Sequence, residues 1–193
     1  MKNKAVFFDR DGTINEEMGY INHPSRFKIF PFVGKALGML KNKGYKLVLV
    51  TNQAGVARGY FSEDLVTELH IQLQRHLSES NVQFDKIYYC PHHPIEGKGK
   101  YKKDCECRKP KTGMITRAQK ELGIDLSRSY MIGDRYKDML FARKIGLKGI
   151  MVLTGYGNGE YTYQSKNWEK EPDYICRDLL AAAHYIIEQD DNM

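Results

Sequence analysis

The chain has 193 residues, of which 41% are hydrophobic and 28% charged, and a net charge of +6. That length supports one domain with a full core, expected over 1–190. No run approaches the ~18 apolar residues of a membrane span. The N-terminal MKNKAVFFDRDG begins basic but holds only a four-residue apolar run, too short for a secretory signal. The expectation is a cytoplasmic monomer with reduced thiols. The positive balance suits nucleic acid or small phosphorylated ligands alike.

In chain order, Ala5–Phe8 reads as a buried strand and Phe32–Lys43 as a helix stopped by Gly44. Lys46–Val50 is a second strand. Asp64–Leu77 is a helix after Ser62, with Glu63 and Asp64 in its first turn. Lys86–Tyr89 is a third strand, and the long irregular stretch CPHHPIEGKGKYKKDCECRKP follows it. Helix Gly113–Leu122, strand Tyr130–Ile132, helix Asp138–Ile145 and strands Gly149–Leu153 and Tyr174–Ile175 come next, and helix Asp178–Glu188 closes the order. Strands that alternate with helices and are apolar without alternation predict an α/β fold. Its sheet is parallel and doubly wound, Rossmann-like, and covered on both faces. In such folds ligands bind at the carboxyl ends of the strands.

The reactive side chains cluster where the predicted strands end. The first strand runs into Asp9-Arg-Asp11-Gly12-Thr13, the second into Thr51-Asn52-Gln53, the fourth into Gly133-Asp134. A lone D-x-D is a weak signal, because acids two apart are common in loops. Its place directly after an apolar strand and before Gly12 raises it. Crowded carboxylates favour a divalent cation, and hard oxygen ligands with open positions favour Mg²⁺. Thr51 and Lys109 offer a hydroxyl and a point charge for phosphate oxygens.

The irregular stretch carries three of the four cysteines. Its spacing is C-x-H, twelve residues, then C-x-C, from Cys90 to Cys107. Four such ligands suit tetrahedral zinc in a closed, structural site, with His92 and His93 competing for one position. Seven basic residues between Lys98 and Lys111, set against Asp104 and Glu106, otherwise read as a solvated loop. Cys176 reads as a core thiol. His23, His70, His76 and His184 read as ordinary loop or helix residues.

The segments DRDGTIN, GYINHPSRFK, VTNQAGVARGYF, YYCPHHP, CECRKPKTGM and YMIGDRYKDM together resemble the haloacid dehalogenase (HAD) superfamily of phosphatases. Within it they resemble the histidinol-phosphatase and heptose-bisphosphate phosphatase branch. The resemblance implies a HAD-like fold with no large cap domain and a zinc-stabilised loop over 90–107. It implies an aspartyl-phosphate mechanism with Asp9 as nucleophile and Asp11 as general acid and base, and with Lys109 and Thr51 on the phosphoryl group. Mg²⁺ would be held by Asp9, the Asp11 carbonyl and Asp134, with Asp138 bracing Lys109 or the metal waters. Zinc would be held by Cys90, His92, Cys105 and Cys107.

By the same resemblance the substrate loop falls on Glu17, Met18, Gly19 and Tyr20. Asn52, Gln53, Ala54, Arg108 and Arg135 complete the substrate contacts. Family members carry an Asp-His-Gly-Tyr run where this chain has Glu17-Met18, a departure that bears on sugar preference. The implied substrate is a sugar bisphosphate of surface-polysaccharide precursor synthesis, with histidinol phosphate as alternative. Two readings compete with it. A nucleic-acid 3′-phosphatase would need a basic stripe with stacking aromatics, and the aromatics lie mostly in predicted strands, so neither nucleic acid nor membrane is an expected partner. A zinc-containing binding module with an inactive phosphatase fold would not need every catalytic position filled.

Overall fold

The computed structural model describes residues 2–192. Its strands are β1 (Ala5–Phe8), β2 (Lys46–Asn52), β3 (Lys86–Cys90), β4 (Tyr130–Gly133), β5 (Lys148–Val152) and β6 (Tyr174–Cys176). They form one parallel sheet in the order β3-β2-β1-β4-β5-β6. β1 pairs with β2 from Ala5↔Lys46 to Phe8↔Leu49, and with β4 from Val6↔Tyr130 to Phe8↔Ile132. The winding reverses between β1 and β4, which opens a crevice at the carboxyl ends of those strands.

Among the described residues seven α-helices flank the sheet: α1 (Val33–Asn42), α2 (Ala54–Arg58), α3 (Glu63–Ser78), α4 (Gly113–Leu122), α5 (Tyr136–Lys144), α6 (Gly157–Gln164) and α7 (Leu179–Asp191). Alternation along each strand divides the core in two. Val6, Phe8, Leu47, Leu49, Ile132 and Val152 face Leu37 of α1, Leu73 of α3 and Ile186 of α7. Phe7, Val48, Val50 and Met131 face Met114 and Ile115 of α4 and Phe141 of α5. Each such buried side chain contributes about 1.5–3 kcal/mol. Cover on both faces is the reason the strands read as unbroken apolar runs.

The expected doubly wound sheet is present, and no large cap domain interrupts it among the described residues. The connection from β1 to α1 holds only a 3-10 turn at Pro24–Arg26. The one from β2 to β3 holds α2 and α3. Boundaries differ from expectation by up to three residues. β2 continues through Thr51 and Asn52, because these pair with Tyr89 and Cys90. α5 starts at Tyr136, two residues before the expected Asp138. Asp178 is the N-cap of α7, not its first residue, and its carboxylate accepts the Ala181 amide proton at 2.9 Å. α2 and α6 were not expected. α2 spans five residues, too few to show a period, and α6 reads GNGEYTYQ, with two glycines and almost no apolar face.

Candidate active site

Asp9 follows β1 and Asp134 follows β4, so the switch in winding sets two acids side by side. Asp9, Asp134 and Asp138 each present a carboxylate oxygen, all within 4.8 Å of one another. Close approach here depends on glycine. Gly12 and Gly155 both have positive φ, and a Cβ on either would collide with the Asp134 carboxylate. Burial and the Asp9 charge push Asp134 up to about 8. One of its oxygens accepts the Tyr156 amide at 2.9 Å. The other, Oδ1, is buried with no partner, as is Asp138 Oδ2. Crowded acids with orphaned buried oxygens fit a hard divalent cation.

The Asp11 carboxylate is not part of this triplet. It accepts from Arg10 Nη2 at 2.9 and 3.0 Å, Asn15 Nδ2 at 3.0 Å and Gln53 Nε2 at 2.9 Å. A metal role for Asp11 therefore rests on its main-chain carbonyl, as expected from the family resemblance.

Lys109 Nζ lies 2.8 Å from Asp138 Oδ1 and 3.1 Å from Asp9 Oδ1. Burial opposes its charge, but the two carboxylates more than offset this and hold its pKa above the ordinary lysine value. Its main chain is clamped by the Asn52 side chain, which accepts from Lys109 N and donates to Lys109 O, both at 3.0 Å. Thr51 Oγ1 accepts from Gln53 Nε2 at 3.0 Å, which leaves its O–H free to donate.

Asp9, Asp11, Thr51, Lys109 and Asp134 line one open cleft of about 240 Å³, together with Glu17, Gly19, Tyr20, Ala54, Arg108 and Arg135. Of the residues expected in this cleft, Met18 is the one that does not line it; its side chain packs on the apolar core. Asn52 and Gln53 line it, but their amides are taken up by Lys109, Asp11 and Thr51. Glu17 accepts the Gly19 amide at 2.6 Å. Burial and the Asp11 charge raise its pKa. Arg108 donates to the His92 carbonyl at 3.1 Å. Arg135 lies over the Tyr156 ring, 4.4 Å from its centroid, and donates to Glu160 at 2.9 Å.

Beside the cleft, Cys90, His92, Cys105 and Cys107 bring their donor atoms within 4.8 Å of one another. The sulfur–sulfur distances of 3.2–3.4 Å are far beyond a disulfide bond and near the edge of about 3.8 Å that tetrahedral zinc requires. Nδ1 of His92 lies 3.4 Å from Cys107 Sγ. His93 is spent elsewhere, accepting from the Ile95 and Glu96 amides. The four residues could hold a metal ion. The loop is tied down by Glu63, which accepts from Tyr89 and Tyr101 hydroxyls at 2.8 and 2.7 Å. Cys176 is buried in the core, as the sequence suggests.

Several residues of the site were not foreseen. Arg10 is 1% exposed and directed at Asp11. Arg26 braces the expected substrate loop by donating to the Met18 and Tyr20 carbonyls. Gly55, Phe61, Lys137 and Tyr156 also line the cleft. The available signal was adjacency: Arg10 stands between the two acids, and Lys137 follows the fourth strand closely.

A HAD-hydrolase-like family profile matches residues 106–182. The D-glycero-beta-D-manno-heptose-1,7-bisphosphate 7-phosphatase of Haemophilus ducreyi is 45% identical over 188 residues, covering 96% of this chain and all of that protein. The protein of the same name from Haemophilus influenzae is 51% identical over 164 residues, covering 82% of this chain and 88% of its own length. Among solved structures, the D,D-heptose 1,7-bisphosphate phosphatase of B. bronchiseptica, complexed with magnesium and phosphate, superposes with a TM-score of 0.84 at 28% identity. That match covers 96% of this chain and 99% of the other. A chain with this sheet and this cleft, matched over 96% of its length by a relative at 45% identity, belongs to the HAD-like phosphatases, in the family of the heptose-bisphosphate phosphatases.

Proposed function

We propose that this protein removes the 7-phosphate of D-glycero-beta-D-manno-heptose 1,7-bisphosphate, in the cytoplasm, for surface-polysaccharide precursor synthesis. The observation that carries the reading is the 45% identity over the full length of a relative of that name, on a chain whose Asp9, Asp11, Thr51, Lys109 and Asp134 share one cleft. Histidinol phosphate, the alternative from sequence, is less favoured because the relatives at 45% and 51% identity are named for the heptose. The test is phosphate release from the beta and alpha heptose bisphosphates and from histidinol phosphate, with Mg²⁺ present. The beta anomer is expected to give the highest kcat/KM. A higher value for histidinol phosphate would overturn the assignment.

Asp9 is the nucleophile: its carboxylate oxygen bonds to phosphorus in line with the departing sugar oxygen. As that P–O bond breaks, Asp11 gives its proton to the sugar oxygen. Asp11 then takes a proton from water, whose oxygen bonds to phosphorus as the Asp9–phosphorus bond breaks. Lys109 and Thr51 hold the phosphoryl oxygens through both steps. Asp9, Asp134 and the Asp11 carbonyl would hold Mg²⁺, which when bound supplies charge neutralisation to the phosphoryl group. Asp138 fixes the Lys109 ammonium. Arg108 and Arg135 grip the distal part of the substrate.

Arg108→Ala is expected to lower kcat/KM about tenfold or more, chiefly through KM, since a charge-assisted contact is worth roughly 1.5–3 kcal/mol. Lys109→Ala acts chiefly on kcat. Steady-state kinetics of both variants checks this division; identical signatures would contradict it.

Zinc at Cys90, His92, Cys105 and Cys107 is structural, because four protein ligands leave no position for a reacting water. Metal analysis is expected to find about one zinc per chain after brief EDTA treatment that removes Mg²⁺. Cys107→Ser is expected to raise KM severalfold and leave kcat less affected. Arg108 follows Cys107 directly, whereas Lys109 keeps its own clamp on Asn52. A zinc-free protein with full Mg²⁺-dependent activity would contradict the structural role.

A further inference from the structure

Arg10 stands between the two reactive acids in the chain, yet it points inward and only 1% of it is exposed. Its Nη2 reaches both Asp11 oxygens, at 2.9 and 3.0 Å, and Gln53 Oε1 at 3.1 Å, while Nε reaches Asp11 Oδ1 at 3.2 Å. Asn15 and Gln53 add one donor each to the same carboxylate. A planar fork against a carboxylate fixes direction as well as distance, which a lysine or a single amide does not. A buried guanidinium is costly unless paired. Among the described residues Asp11 is the acid in ion-pair contact with it, and Nη1 is buried without a hydrogen-bond partner; the guanidinium carbon lies 5.5 Å from the Phe27 ring centroid, and the nearby His70 is kept neutral by burial and by Arg10 itself, with a pKa of about 3. Asp11 is therefore the one acid Arg10 serves, and the remaining exposed part of Asp11 borders the cleft.

We infer that Arg10 is a positioning residue for the proton-transfer step: it holds the Asp11 carboxyl group so that its free side meets the leaving sugar oxygen. The inference rests on the acid–base role proposed for Asp11. Proton transfer by a placed side chain is worth about 10²–10⁴-fold, and misorientation forfeits part of that. The loss falls on esters whose leaving oxygen needs a proton, such as sugar and alkyl phosphates. It spares p-nitrophenyl phosphate, whose leaving group departs as the anion.

The experiment measures kcat/KM, which reports steps up to phosphoenzyme formation, for the Mg²⁺-loaded wild type, Arg10→Met, Arg10→Lys and Asp11→Asn. Each is assayed on heptose bisphosphate and on p-nitrophenyl phosphate. Arg10→Met is expected to lose about tenfold to hundredfold on the heptose ester and less than about threefold on the aryl ester. Arg10→Lys is expected to lose less on the heptose ester, with the same selectivity. Asp11→Asn sets the reference pattern. Selective loss in Asp11→Asn but equal loss on both esters in the Arg10 variants would overturn the positioning role and leave Asp11 in place. No selectivity in Asp11→Asn would instead remove the acid role on which the inference stands. If Arg10→Met does not fold, Arg10→Lys decides by the same ratio.

Discussion

Asp9→Asn is expected to lower kcat by more than about 10⁴-fold while the protein stays folded. Removal of the proposed nucleophile from a unit that works together costs rate on this scale. The structure explains why the fold survives. The side-chain oxygen of an asparagine can still accept the Arg10 amide proton that Asp9 Oδ1 now takes at 2.8 Å. Lys109 keeps its 2.8 Å contact with Asp138. One negative charge also leaves a group of three acids, which relieves the repulsion on Asp134. Phosphate release and circular dichroism on the same preparation check both halves. Activity within tenfold of wild type would exclude a covalent aspartate at position 9.

Asp138→Asn is expected to be the most damaging single change to stability in the site. Its side chain is fully buried, and the Lys109 side chain is 3% exposed. The change leaves the Lys109 ammonium only its longer, 3.1 Å contact with Asp9, and removing one partner of a buried pair costs up to about 3–5 kcal/mol. At the size of this domain that corresponds to a fall in Tm of roughly 6–20 °C. kcat is expected to fall about 10²-fold as the ammonium loses its anchor. Thermal melts and kinetics of the variant check this; an unchanged Tm would show that the pair contributes specificity of position and little stability.

Much of this was legible in the sequence, and the reasons are physical. The strands read as largely apolar runs because helices cover both faces, and Asp9 and Asp134 directly follow such runs. The two candidate metal sets differ in chemistry, carboxylates against thiolates and imidazole, so each is readable from residue type. Boundaries were less legible, because Thr51 and Asn52 are polar yet remain in β2 through pairing with Tyr89 and Cys90. Helix α2 escaped notice because five residues carry no period. The roles of Asn52 and Gln53 were hidden for another reason. Nothing in VTNQ says that the amides turn inward to Lys109 and Asp11, since that follows from which loops the sheet order brings together. Met18 sits in the substrate loop by spacing, but its apolar side chain finds the core instead.

The most direct test of the account is to trap the covalent intermediate. Asp11→Asn protein, loaded with Mg²⁺ and mixed with p-nitrophenyl phosphate, whose leaving group needs no proton from Asp11, is acid-quenched within one turnover and analysed by peptide mass spectrometry. Loss of the residue that activates water slows the second step, so one phosphoryl group is expected on the peptide containing Asp9, and none on that peptide in the Asp9→Asn, Asp11→Asn double variant. Phosphate released in a single turnover with no phosphoryl group on Asp9 at any time point would contradict the aspartyl-phosphate mechanism.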